Sequence, residues 1–464
     1  MPSDISYNAG IVEFIPAKEG KGKALVKDNL ARMKNIIESE ETKNLDILVF
    51  PEFVLNNLDM MTYVPDPREN VAPCEIPNFD FFLTELSCAA RSRKIYVVVN
   101  LVEKYHCTTK DQHCGSDGLK VYNTNVVFDR AGRVISRYRK THLYRYEWYS
   151  ENVLEKPELA TFTTDFGVTF GHFICFDMLF YEPAMVLLRQ LNVTDVVYPT
   201  YWFSELPFLT GKFKSSSSLQ VIYKLLSLAV QLQEGWAFAN NVNLLAADSS
   251  VPAEQNTGSG IYAGRLGRLT AVIHEEPTTK LLTAEVPKRQ HQSSYQMPPV
   301  TKPLFTPSFE SSRFTKLSLL RDYNVDIFNT TLLPESFTVA NEVLCHRSFC
   351  CNFHVERVKI QDSVTHSAYR YRLAAYQGDK TTFQRIDSSN QSICAVIACT
   401  GSELYTCGHI FPETVLVGNK YYFKAINISA EFVKSEKRLI MPSTVNSVMM
   451  PLTVDSYNWS EADR

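Results

Sequence analysis

The stretch LDILVFPE at residues 45–52 decides the fold. It is a short apolar run ending in Pro51-Glu52, as expected of a buried strand that enters a loop. Before it, GKGKALVKDNLARMKNIIESEETKN (20–44) places Leu25, Leu30, Met33 and Ile37 at near-helical spacing, which predicts an amphipathic helix. YNAGIVEFI (7–15) reads as the strand that opens the unit. After it, NFDFFLTELSCAARSRK (78–94) reads as a second helix and IYVVVNLVEKY (95–105) as a β-branched strand. VYNTNVVFDRAGRVISRYRK (121–140) reads as a hairpin turning at Arg130-Ala131-Gly132. VTFGHFICFD (168–177), EPAMVLLRQLN (182–192) and VTDVVYPT (193–200) add a strand, a helix and a strand. The alternation predicts an α/β layered sandwich.

The pattern breaks at 288–312, where KRQHQSSYQMPPVTKPLFTPSFESS is rich in Pro, Ser and Gln and reads as a linker. Short strands such as YRYRLAAYQG (369–378) and KYYFKAINI (420–428) follow, with six cysteines. These predict a smaller β-rich, disulfide-supported domain. The division is therefore 1–290, a linker at 291–312, and 313–464. A chain of 464 residues suits more than one core, since single cores stop growing near ~250–300 residues. The segment GKFKSSSSLQVIYKLLSLA (211–229) interrupts the pattern and reads as either a surface loop or a translated intron.

A net charge of −3 gives no reason to expect nucleic acid or an anionic membrane as partner. HExxH, CxxC, GxGxxG and P-loop lysine motifs are all missing, so neither a zinc site nor a nucleotide cofactor is expected. Eleven cysteines is an odd number. Sequons begin at Asn192, Asn329, Asn390, Asn427 and Asn458. Together they favour the secretory pathway, with ten cysteines paired and one free. MPSDISYNAGIVEFIP has no apolar signal region, and VDSYNWSEADR has no hydrophobic tail. The expectation is a secreted protein whose natural start is missing here, with a lost GPI anchor as a variant of it.

Cys175 lies in the apolar run FGHFICFDMLF (170–180), apart from every other cysteine. A buried structural thiol is one reading and a nucleophile the other. A thiol near pKa ~8.5 attacks well only with a base or cation beside it. Glu52 in VFPEF and Lys140 in SRYRKTHLY can supply these, though alone each reads as a solvated charge.

VFPEF, RYRKTHL and ICFDM resemble, in order and spacing, the Glu-Lys-Cys motifs of the nitrilase superfamily. YNTNVVFD, VVYPTYW, NNVNLLAAD, TGSGIYA and CNFHV extend the resemblance to the vanin and biotinidase family over nearly the whole chain. The resemblance implies an αββα sandwich that carries hydrolysis of a linear amide. It gives Cys175 as nucleophile, Glu52 as base, Lys140 as oxyanion cation and Glu147 as a supporting acid. It also implies that the Phe176 N–H completes the oxyanion site and that Asp177 supports the loop. Tyr201 and Trp202 are expected to line the pocket. Pantetheine is the expected substrate, with biotinyl amides or a silent scaffold role as alternatives. No cofactor or metal is implied, and the assembly is expected to be a monomer or weak dimer. Cys107 is expected to pair with Cys114, and Cys74 with Cys88 is a further option.

Overall fold

The computed structural model describes residues 5–461 apart from 18–21, 109–113, 115, 145–146, 148–149, 203–204, 207–209, 213–228, 290–319, 322–324, 361–366, 382–387, 410, 413, 416, 419–420 and 445–450. In chain order the first elements are β1 (Ser6–Glu13), α1 (Lys23–Ile37), β2 (Ile47–Val49), α2 (Phe81–Arg93), β3 (Tyr96–His106), β4 (Leu119–Phe128) and β5 (Val134–Arg139). Next come β6 (Thr161–Thr163), β7 (Thr169–His172), α3 (Val186–Arg189), β8 (Asp195–Thr200), β9 (Glu205–Leu206), β10 (Thr210–Lys212) and α4 (Ala229–Asn240). Then follow β11 (Asn243–Asp248), β12 (Ser259–Ala263), β13 (Arg268–Val272), β14 (Lys280–Pro287), β15 (Leu320–Arg321) and β16 (Asn329–Leu332). The last are β17 (Val339–His346), β18 (Phe349–Lys359), β19 (Arg370–Thr381), β20 (Ser388–Cys399), β21 (Tyr421–Ala430) and β22 (Pro442–Thr444).

The chain forms two compact units. The first contains 1–202 and 240–295; the second contains 203–239 and 296–464. Residues 203–239 thus group with the C-terminal unit, although the sequence pattern placed them within 1–290. Their short strands explain why: β10 pairs with β20 and β22, and β9 pairs with β15. The expected linker at 291–312 lies outside the described residues, as does most of the interrupting segment.

The first unit is built on two six-stranded sheets, ordered β14-β1-β2-β3-β4-β5 and β13-β12-β11-β8-β7-β6. Alternation sorts each strand's side chains onto two faces. Ala9, Ile11, Ile47, Val49 and Val98 of the first sheet share a core with Phe170, Val197, Leu245 and Ile261 of the second. On the opposite face of the first sheet, Leu48, Val97, Val99 and Val126 pack with Leu30, Met33 and Ile37 of α1 and Phe82 and Leu86 of α2. This is the helix-sheet-sheet order that the amphipathic pattern predicts. The β4–β5 hairpin closes at Gly132, whose φ of 76° suits glycine. A Cβ there would lie 2.4 Å from the Ser87 carbonyl oxygen on α2, so the turn also needs the missing side chain.

The second unit pairs the five-stranded sheet β16-β19-β20-β10-β22 with the three-stranded sheet β17-β18-β21. Leu344, Phe349, Phe353 and Val355 meet Leu373, Ala375 and Val396 between them. Cys351–Cys394 ties one sheet to the other. Cys345–Cys350 and Cys399–Cys407 close local turns. The first unit carries Cys74–Cys88 and Cys107–Cys114. Ten cysteines pair, and Cys175 is the free one.

Candidate active site

Three loops at strand ends bring the predicted residues together in the first unit. β2 ends at Val49, and Pro51-Glu52 turns back over the sheets. There the Glu52 N–H reaches the Thr200 carbonyl, and Phe53 takes the left-handed region at φ 57°. The Phe53 N–H is held by the Asn100 side chain at 3.0 Å. Lys140 follows β5 directly and stays in register through its N–H to the Asn123 carbonyl. Cys175 follows β7 and opens a single 3₁₀ turn, Cys175–Leu179.

Glu52 and Lys140 are each 1% exposed, so neither is the solvated charge that it suggests when read alone. Lys140 Nζ lies 2.7 Å from Glu52 Oε1 and 2.9 and 2.8 Å from the two oxygens of Glu147. Burial works against the ammonium, but the Glu147 and Glu52 charges outweigh it and hold the Lys140 pKa well above its ordinary value. Such a buried cation would be costly without these partners. Burial, reinforced by the Glu52 charge, raises the Glu147 pKa even though Lys140 opposes the shift.

The backbone of Tyr201 joins Cys175 to this cluster. Its N–H donates to Glu52 Oε2 at 2.8 Å, and its carbonyl accepts from the Cys175 thiol at 3.7 Å. Cys175 also lies within electrostatic reach of both Glu52 and Lys140. Burial, then Glu52, drives its pKa well above the ordinary thiol value, while Lys140 pulls the other way. This environment favours the protonated sulfur, and a thiol attacks poorly without a base. Its backbone is strained at φ 45°. The Tyr198 hydroxyl donates to the Cys175 carbonyl at 2.7 Å and fixes that turn.

Asp177 supports the same turn. It accepts from the Ile174 N–H, the Tyr138 hydroxyl, and both the backbone N–H and ring of His142. Phe176 is buried beside Cys175, with its ring against Tyr144 and Phe180. The Tyr201 side chain turns to Glu254, its hydroxyl 3.0 Å from Oε2. Trp202 is buried, with its backbone held by Asp248 and Asn256.

Sequence reasoning missed Asn123. Its amide donates to Glu52 Oε1 at 2.7 Å and to Glu147 Oε1 at 2.8 Å, so one side chain spaces both carboxylates. Asn100 in turn donates to the side-chain oxygens of Asn123 and Asn125. The signal was present: one amide inside VVVNLV, and two more at alternate positions of YNTNVV, all on buried strands. A buried amide needs partners, and three in register mark a polar site inside the sheets. Among the described residues, no group of side chains could hold a metal ion.

The carbon-nitrogen hydrolase family model matches residues 20–209. With the paired-sheet α/β fold, it makes the chain an enzyme that hydrolyses carbon–nitrogen bonds. The vanin C-terminal domain model matches residues 317–464. Vanin-like protein 2 of Drosophila melanogaster is 40% identical over 468 aligned positions, covering 98% of this chain and 83% of that protein. Human pantetheinase is 30% identical over 438 positions, covering 89% of this chain and 78% of that protein. The chain belongs to the vanin family.

Proposed function

We propose that the chain hydrolyses the linear amide of pantetheine to pantothenate and cysteamine through a thioester on Cys175. The observation that carries this is the placement of Cys175 and Glu52 on one backbone unit, Tyr201, with Lys140 bonded to Glu52. Sulfur attacks the amide carbonyl while Glu52 takes the thiol proton. Negative charge then develops on the carbonyl oxygen, where the Lys140 ammonium and the Phe176 N–H stabilise it. Glu52 returns the proton to the leaving amine as the C–N bond breaks. Water then attacks the thioester with Glu52 again as base, releasing the acid and restoring the thiol. Glu147 holds Lys140 charged and in place, and Tyr201 and Trp202 border the pocket.

The name of the human relative favours pantetheine over other linear amides. The same reading assigns catalysis to the first unit, 1–202 with 240–295, and makes the second unit a separate domain. It describes a secreted glycoprotein acting as a monomer or weak dimer. Five disulfides and the exposure of Asn192, Asn329, Asn427 and Asn458 support secretion and glycosylation. No described helix is long and apolar enough to cross a membrane.

The test is turnover of pantetheine and of a biotinyl amide by wild type and Cys175→Ala. Wild type should release cysteamine, and Cys175→Ala should release none while melting normally. Turnover retained without the sulfur would refute the mechanism. Exclusive cleavage of the biotinyl amide would overturn the substrate while leaving the chemistry standing.

A further inference from the structure

The C-terminal unit holds a cavity of about 320 Å³ that no step above uses. The volume falls at the lower end of the range for small-molecule sites, about 300–1,000 Å³. Its walls are aromatic: Tyr369, Tyr371, Phe411, Tyr421 and Phe423 line it with Arg357.

Arg357 is only 9% exposed, although guanidinium groups are rarely buried without a counter-charge. Its charged end sits between the rings of Phe337 and Tyr421, 3.6 and 4.3 Å from their centroids. Nε and Nη2 donate to the carbonyls of Pro334, Glu335 and Phe337 at 2.8–3.4 Å. Nη1 takes part in none of these bonds. Among the described residues, no carboxylate reaches ion-pair distance of Arg357. Glu335 and Arg370, which also line the cavity, pair with each other at 3.6 Å. Arginine stays charged in proteins. Carbonyl dipoles, ring faces and the more distant Glu335 charge offset part of its burial, yet no carboxylate bonds the guanidinium directly.

We propose that this cavity is a binding site for a small organic carboxylate, its oxygens on Arg357 Nη1 and its apolar body against the aromatic walls. The missing negative charge selects the head group, and the rings select a flat or hydrocarbon body. All these residues belong to the second unit and none to the Cys175 cluster, so the proposal does not depend on amide hydrolysis.

The probe is benzoate, with benzyl alcohol as its uncharged counterpart. Binding to the full chain, alkylated at Cys175 with iodoacetamide, is followed by calorimetry or ligand-observed NMR. Benzoate should bind saturably and at least tenfold more tightly than benzyl alcohol. Arg357→Met should weaken benzoate at least tenfold. Since Arg357 also holds the carbonyls at 334–337, Ala368→Phe provides a second arm: it fills the cavity and leaves the guanidinium in place. It should abolish benzoate binding without changing the melting temperature or turnover of the unalkylated enzyme. Equal binding of both probes, or benzoate binding untouched by Ala368→Phe, would overturn the proposal.

Discussion

At the scale of single residues, the site depends on groups that are buried before any substrate arrives. Asn123 donates to both carboxylates that flank Lys140. Removing a donor to a charged group costs about 1.5–3 kcal/mol. Asn123→Ala should therefore lower kcat/KM by roughly 10- to 100-fold, given about 1.4 kcal/mol per decade, with a smaller loss of melting temperature. Steady-state kinetics beside a thermal melt checks this. Glu151 contributes to the pH dependence of stability. Burial, followed by the charge of Glu147, pushes its pKa up to about 9, with Lys140 opposing and Glu52 adding to the shift. Its Oε2 is buried without a hydrogen-bond partner. The unfolded chain releases that proton near 4.5, whereas the folded chain keeps it until about 9. Across that window the folded state binds more protons, so stability falls as pH rises. Glu151→Gln should flatten the decline of melting temperature between pH 5 and 9. Parallel slopes in the two proteins would show that Glu151 has an ordinary carboxyl. Glu52, Lys140 and Cys175 were legible as candidates because three motifs stand in a fixed order along the chain. Asn123 was not, because an amide in a strand carries no motif and its value depends on which strand lies beside it.

Among elements, the hairpin that delivers Lys140 is the critical part. β4 and β5 pair from Thr124–Arg139 to Phe128–Val134, and Gly132 anchors the turn against α2. Gly132→Ala would strain a left-handed residue and press a methyl group onto the Ser87 carbonyl. A cost of about 1–3 kcal/mol is expected, typical of overpacking, and thermal unfolding should show it. The turn itself was legible as Arg130-Ala131-Gly132, and so were both helices, since their periodicity is local. The pairing of β10 with β20 and β22 was not. Three residues with no apolar alternation gain strand geometry only from partners 182–184 and 230–234 positions away. The interrupting segment therefore begins inside a sheet of the C-terminal unit, and Ala229 at its end opens α4.

For the whole molecule, the cysteines divide the labour. Ten are bridged within one unit or the other, and the eleventh is a free, buried thiol bonded to the Tyr201 carbonyl. Cys351–Cys394 spans 43 positions and joins two sheets. Chain entropy assigns such a loop about 4 kcal/mol. Replacing both cysteines with alanine should lower the melting temperature of the C-terminal unit by roughly 10 °C, using about 2–4 °C per kcal/mol for a unit of this size. Calorimetry resolves this if the first unit's transition stays in place. Both bridges named from sequence close short local loops. The longer connectivity needed the sheet pairing, which spacing does not encode.

The clasp around Lys140 also bears on when its freedom is lost. Glu52 and Glu147 hold the same ammonium, so this long side chain is fixed on folding, before any amide binds. The rotamer entropy of a lysine, up to about 2 kcal/mol, is then given up once per molecule and not once per turnover.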